Sequence, residues 1–246
     1  MQPATVNRFR TNRGRILRRM IDALADTLGR DIVILDVGGT PDYWGNLGTE
    51  RIARIELLNR DDSQLDRPTK EIGRSDLFTR KVGDARDLSA YADQSMDLVH
   101  SNSVIEHVGG WSDMRAMANE IMRVGRAGWM QTPAWEFPIE PHFRMAIGHW
   151  FGKPMQARLM GMSVDPTIRR LDLDRRRRRL EGINLLSKSE VRALFPNREI
   201  LTERVILAKS YVVRWAPASP TAAQPSDFPQ PADARMSKVE PTEVLA

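Results

Sequence analysis

Ile16, Leu17, Met20, Ile21, Leu24 and Leu28 recur at the spacing of one face of an α-helix, which predicts an amphipathic helix over 15–28 stopped by Gly29. The pattern then changes period. Ile32 to Leu35 is a short apolar run with β-branched residues, as expected of a central parallel strand covered on both faces. Further strands are predicted at Arg51 to Leu58, Phe78 to Val82, Met96 to His100 and Ala127 to Gln131, the last stopping at Pro133. Helical stretches at 103–108 and 114–124 lie between the later ones. Strands alternating with helices in this rhythm predict an α/β fold with a doubly wound, mostly parallel sheet.

Beyond Pro133 the rhythm breaks. Residues 135–186 are rich in Met, Trp, Phe and Arg and too long for a simple connection, so a largely helical insertion is expected. Ser187-Lys-Ser-Glu190 reads as a helix start, with Ser187 or Ser189 as cap and a stop at Pro196. Glu199 to Leu207 and Lys209 to Trp215 read as an antiparallel hairpin at the sheet edge. From residue 216 to 246 the chain is Pro, Ala, Ser and charge without periodicity, and is expected to be a disordered tail after a domain spanning 1–215.

Composition adjusts this picture at a few points. A chain of 246 residues with 41% hydrophobic content suffices for one full α/β core and little more. No apolar run reaches the roughly 18 residues that span a bilayer, and the basic, polar start has no signal-like stretch, so a cytoplasmic protein is expected. The absence of cysteine excludes disulfides, thiolate metal sites and a cysteine nucleophile, and four histidines without ligand spacing predict no metal. The net charge of +5 comes from arginines gathered at 8–19 and 169–179, including the unbroken run Arg175 to Arg179. Such runs are more often solvated helix faces than binding sites. Neither is interleaved with aromatic residues for base stacking, so no nucleic-acid partner is expected.

The candidate chemistry sits at the carboxyl ends of the strands, where open α/β sheets bind ligands. Gly38 and Gly39 follow the first strand and let the backbone turn tightly with no Cβ in the way. Asp36 lies just before them, Glu56 lies near the end of the second strand about 20 residues later, and Asp84-Ala85 follows the third. An acidic residue at the second strand suits a pair of ribose hydroxyls; its bland alternative is a salt bridge to Arg51 or Arg54.

Leu35-Asp-Val-Gly-Gly-Thr40, Ile55-Glu-Leu-Leu-Asn59, Gly83-Asp-Ala-Arg-Asp-Leu88 and Met96 to Val108 (MDLVHSNSVIEHV) together resemble the class I S-adenosylmethionine-dependent methyltransferases, over roughly residues 15–215. The resemblance implies a Rossmann-like, mostly parallel seven-stranded sheet and S-adenosyl-L-methionine as cofactor. Carried over by position, it implies that Gly38 and Gly39, with Asp36 nearby, approach the methionine part. Glu56 would hold the ribose, Asp84 and the Ala85 backbone the adenine, and Asn102 and Ser103 would line the methionine end. The chain departs from the family pattern at Thr40-Pro-Asp-Tyr-Trp44, which makes the loop after the glycines bulky and stiff, with Tyr43 and Trp44 over the cofactor or capping the core.

Methyl transfer from a sulfonium needs mainly an acceptor held in line, and a hydroxyl acceptor gains from a general base. His142, His107 and Glu140 are the candidates. Phe137-Pro-Ile-Glu-Pro-His142 with His149-Trp150 is similar to enzymes of bacterial polysaccharide and glycan biosynthesis, which implies O-methylation of a small-molecule or sugar acceptor. Trp135, Phe137, Phe143, Trp150 and Phe151 suit sugar rings or an apolar chain, and equally the insertion's own core. The alternatives are a lipid-linked or quinone-type acceptor with peripheral contact to an anionic membrane, and a cofactor-binding scaffold without turnover.

Overall fold

A computed structural model describes residues 4–61, 75–140, 145–146 and 148–217 of the protein. A long helix α1 (Ala4–Leu28) leads into β1 (Ile32–Val37), a short helix α2 (Pro41–Leu47) and β2 (Ile52–Asn59). Then come β3 (Phe78–Val82), β4 (Met96–Asn102), α3 (Trp111–Val124) and β5 (Gly125–Pro133). The insertion carries β6 (Ile139–Glu140), β7 (Met145–Ala146), α4 (Lys153–Met160), α5 (Pro166–Arg169) and α6 (Leu173–Glu181). α7 (Lys188–Leu194), β8 (Glu199–Arg204) and β9 (Ala208–Trp215) complete the described chain.

The strands form a seven-stranded sheet in the order β3-β2-β1-β4-β5-β9-β8. β1 to β5 run parallel, while β9 joins β5 antiparallel and β8 closes the edge antiparallel to β9. This is the expected Rossmann-like, mostly parallel sheet with an antiparallel edge hairpin. β1, β4 and β5 are buried on both faces, as parallel strands at a sheet centre are. Leu17, Ile21 and Leu24 of α1 pack on Ile34, Ile55, Leu98 and Trp129. On the other face Met117, Ile121 and Val124 of α3 and Val191 and Leu194 of α7 pack on Leu35, Val99 and Met130.

Several expectations are corrected. α1 begins eleven residues before Arg15, at Ala4. Residues 41–44 are not a stiff loop but the first turn of α2, with Pro41 in the position where its missing N–H costs nothing. The insertion is largely helical as expected, with α4, α5 and α6 from Lys153 onward, and among the described residues these are preceded by a 3-10 turn at Gly148–Trp150 and the two-stranded β6–β7 ladder. Its own small core is Ala157, Met160, Ile168 and Leu180, whereas Trp135, Trp150 and Phe151 are 41, 42 and 47% exposed and belong to no core. Ser187 is the cap of α7, in a reciprocal capping box with Glu190. The expected tail lies outside the described residues from 218 onward.

Candidate active site at the carboxyl edge

The turn after β1 is fixed from below. Asp36 is fully buried, its Oδ2 accepting the Trp44 indole N–H at 2.7 Å and its Oδ1 lying 2.7 Å from His100 Nδ1 on β4. Tyr43 and Trp44 stack around the His100 ring with centroids 4.7 and 5.1 Å away. The tyrosine hydroxyl of Tyr43 is pushed well above its usual range by burial and by the Asp36 charge. Asp36 is therefore corrected from a cofactor contact to the anchor under the turn, and Tyr43 and Trp44 brace that anchor. A Cβ on Gly39 would stand 1.7 Å from Asp36 Oδ2, and one on Gly38, at φ +75°, would stand 2.4 Å from Val104. Both glycines are required by this close packing.

Around the turn, the ends of the neighbouring strands converge. The Gly38 N–H donates to the Leu58 carbonyl at 2.7 Å, so the residue beside the glycines on β2 is Asn59, whose Nδ2 donates to the Gly39 carbonyl at 3.0 Å. Asn59 was not singled out from the sequence; its only signal there is that it is the first polar residue after Leu57-Leu58. Glu56 pairs with Leu35 in mid-sheet, three residues or about 10 Å below the strand end. Its carboxylate meets Arg54 Nη2 at 2.8 Å and accepts from the Tyr91 hydroxyl at 3.2 Å. The salt-bridge alternative holds for Glu56, and Asn59 takes the edge position.

Beyond β3, the Gly83 N–H donates to the Asn59 carbonyl and brings Asp84 to the same edge. Arg86 grips Asp84 through Nε and Nη2 and reaches Asp113 of α3 at 3.0 Å. The Arg86 guanidinium holds the Asp84 carboxyl well below the usual range, at about 2. Ala85 beside it is 8% exposed. At the end of β4, Asn102 is half-buried and Ser103 takes φ +57°, donating from N and Oγ to Gln131.

The following turn, Ile105–His107, is tied to the insertion. His107 Nδ1 donates to the Gly182 carbonyl at 3.2 Å, and the Asn184 N–H donates to the Glu106 carbonyl at 2.8 Å. The fully buried Glu106 carboxylate accepts from Thr132 of β5. Next to this seam a cavity of about 280 Å³ is lined by Trp111, Trp135, His149, Lys153 and Asn184. A larger one, about 600 Å³, lies at the opposite edge between α1 and the hairpin, lined by Met20, Leu28, Asp97 and Trp215, and touches none of these residues.

Residues 35–129 match the model of a family described as a methyltransferase domain. Over that stretch the chain is similar to a methyltransferase domain. A curated "uncharacterized methyltransferase" of Mycolicibacterium gilvum (strain PYR-GCK) is 28% identical over 135 residues, which cover 53% of this chain and 50% of that protein. The chain therefore matches about half the length of that relative. Two solved structures share the fold. A Pyrococcus horikoshii protein aligns with a TM-score of 0.50 at 18% identity over 84% of this chain and 91% of its own. A Bordetella parapertussis protein described as a possible exported protein aligns with a TM-score of 0.52 at 15% identity, over 84% of this chain and 68% of its own.

The carboxyl edge gathers Gly38, Gly39, Asn59, Asp84, Ala85, Asn102 and Ser103, while Asp36 and Glu56 lie beneath it. His107 sits on the seam to the insertion. Glu140 contributes its backbone to β6, and His142 lies outside the described residues. The Arg175 to Arg179 run is a solvated helix face, with Arg175, Arg177 and Arg178 facing Asp172, Glu181 and Asp174 and Arg176 bonding backbone carbonyls.

Proposed function

We propose that this protein transfers the methyl group of S-adenosyl-L-methionine to a hydroxyl of a small-molecule or sugar acceptor. The observation that carries the cofactor reading is the glycine turn at the carboxyl edge, flanked by Asn59 and Asp84. Gly38 and Gly39 offer backbone at close range, Asn59 an amide for the ribose hydroxyls, and Asp84 an ionised acceptor for the adenine amino group, with Ala85 beside it. Asn102 and Ser103 border the methionine end. When bound, the cofactor supplies an electrophilic methyl on a sulfonium that is already a good leaving group. The chain then has to orient the acceptor, exclude water and accept a proton. His142, His107 and Glu140 are the candidates for the last task, with His107 held by Gly182 at the seam. The aromatic cavity between Trp111 and Trp135 supports an acceptor with flat apolar faces and hydroxyls, as a sugar ring has.

Calorimetric titration with S-adenosylmethionine and S-adenosylhomocysteine tests this reading without an acceptor. Micromolar binding of both is expected. Asn59→Ala and Asp84→Ala should each weaken it by about 1 to 2 kcal/mol, the cost of unmet polar partners, while Glu56→Gln leaves it unchanged. Absence of binding to either ligand would overturn the reading in favour of a scaffold.

A further inference from the structure

The tip of the β8–β9 hairpin is a surface that methyl transfer leaves unexplained. Val205, Ile206 and Leu207 follow one another there with 53, 87 and 43% exposure, at a turn where polar residues are the norm. β9 is antiparallel to β5, with Ser210 opposite Pro133. The tip therefore projects past the carboxyl edge of the sheet, on the side where the acceptor must enter.

α1 returns to the same edge, bringing cations. Arg13 lies 3.3 Å from Glu203, and Lys209 Nζ sits 4.2 Å from the centre of the Phe9 ring. The Lys209 ammonium is held below its ordinary range by burial, with Arg13 and Arg10 adding repulsion against the pull of Glu203. Arg204 flanks the tip and is exposed. Four cations thus collar three apolar side chains, and the acid among them, Glu203, is engaged by Arg13 and Ser210. Beyond β5 on this edge stand the part-exposed indoles of Trp135 and Trp150.

We propose that the Val205–Leu207 tip docks this protein on an anionic membrane surface, the apolar side chains entering the interfacial layer while Arg10, Arg204 and Lys209 meet lipid phosphates. A single three-residue turn is far smaller than the roughly 1,600 Å² of a stable protein interface. It suits a bilayer, where shallow insertion and a basic collar act together and neither suffices alone. Indole rings at the same edge fit the headgroup level. This contact stands apart from the cofactor reading; if both hold, the acceptor entrance faces lipid.

Sedimentation of the full chain with vesicles of phosphatidylcholine and phosphatidylglycerol in equal parts tests it, against phosphatidylcholine alone. Binding to the mixed vesicles only, weakened by salt, is expected. Ile206→Asp and Arg204→Glu should each lower partitioning by about ten-fold, with an unchanged circular dichroism spectrum and urea midpoint as a check on folding. Because the chain has no cysteine, Ile206→Cys takes a polarity-sensitive fluorophore at one site, and its emission should shift to the blue on adding mixed vesicles. The proposal is overturned if the native chain ignores mixed vesicles, or if Ile206→Asp binds them equally well. A dimer in solution that Ile206→Asp splits would also overturn it, by assigning the tip to a second copy.

Discussion

Asp36 carries no solvent exposure, and its two oxygens are engaged by an indole N–H and an imidazole nitrogen from two different elements. Such a buried carboxylate is tolerable only while its partners stay in place. Gly39 leans directly on it. Gly39→Ala should therefore destabilise the protein by about 2 to 3 kcal/mol, since either the new methyl or the carboxylate has to move within a close-packed site. Urea denaturation followed by circular dichroism measures this, and an unchanged midpoint would contradict the packing described. At this scale the sequence was partly legible. The glycine pair and Asp84 were readable because strand ends announce themselves by a change from apolar to polar. Asn59 was passed over for Glu56 because an acidic residue at the familiar distance drew attention. The register shift between Ile32 and Val33, which moves β2 relative to β1, leaves no trace in the chain.

Among the elements, the strands and α3 were legible from periodicity, and α7 from its capping box. α2 was not, because Pro41-Asp42 followed by the aromatic pair Tyr43-Trp44 resembles a rigid loop unless Pro41 is known to occupy the first helical turn. The β6–β7 ladder is too short to show a period. The amino ends of β1 and β4 are held by an ion pair that sequence reading missed altogether. Arg30 grips the buried Asp97 through both terminal nitrogens at 2.7 and 2.9 Å, and the Val33 N–H donates to the same carboxylate at 2.9 Å. Asp97→Ala should cost about 2 to 3 kcal/mol, because a backbone donor and a guanidinium lose their acceptor together. A thermal melt lowered by several degrees is the expected observation.

For the whole molecule, perturbed acids and phenols bound the pH range of stability. Asp84, at about 2, and Glu120, lowered by Arg123, keep their native pairs ionised below the usual carboxylate range. Their contribution is complete above about pH 5 and is lost as the pH falls through the native values. On the alkaline side burial and the Glu56 charge push the Tyr91 hydroxyl up to about 12, and burial with Glu136 raises Tyr211. A raised group stabilises below its unfolded value, near 10, and loses that contribution above it. The urea midpoint should thus stay level from about pH 5 to 9 and fall on both sides; a slope across that range would show that other groups govern. The strand order carries a further consequence, for synthesis on the ribosome. β1 lies between β2 and β4, and the second anchor of Asp36, His100, is translated 64 residues after it. A nascent chain that has emerged only through β3 can enclose that carboxylate only half-satisfied. Emergence of β4 is therefore the step at which the amino-terminal half can first settle, and release before it should hand an unfinished sheet to the chaperones.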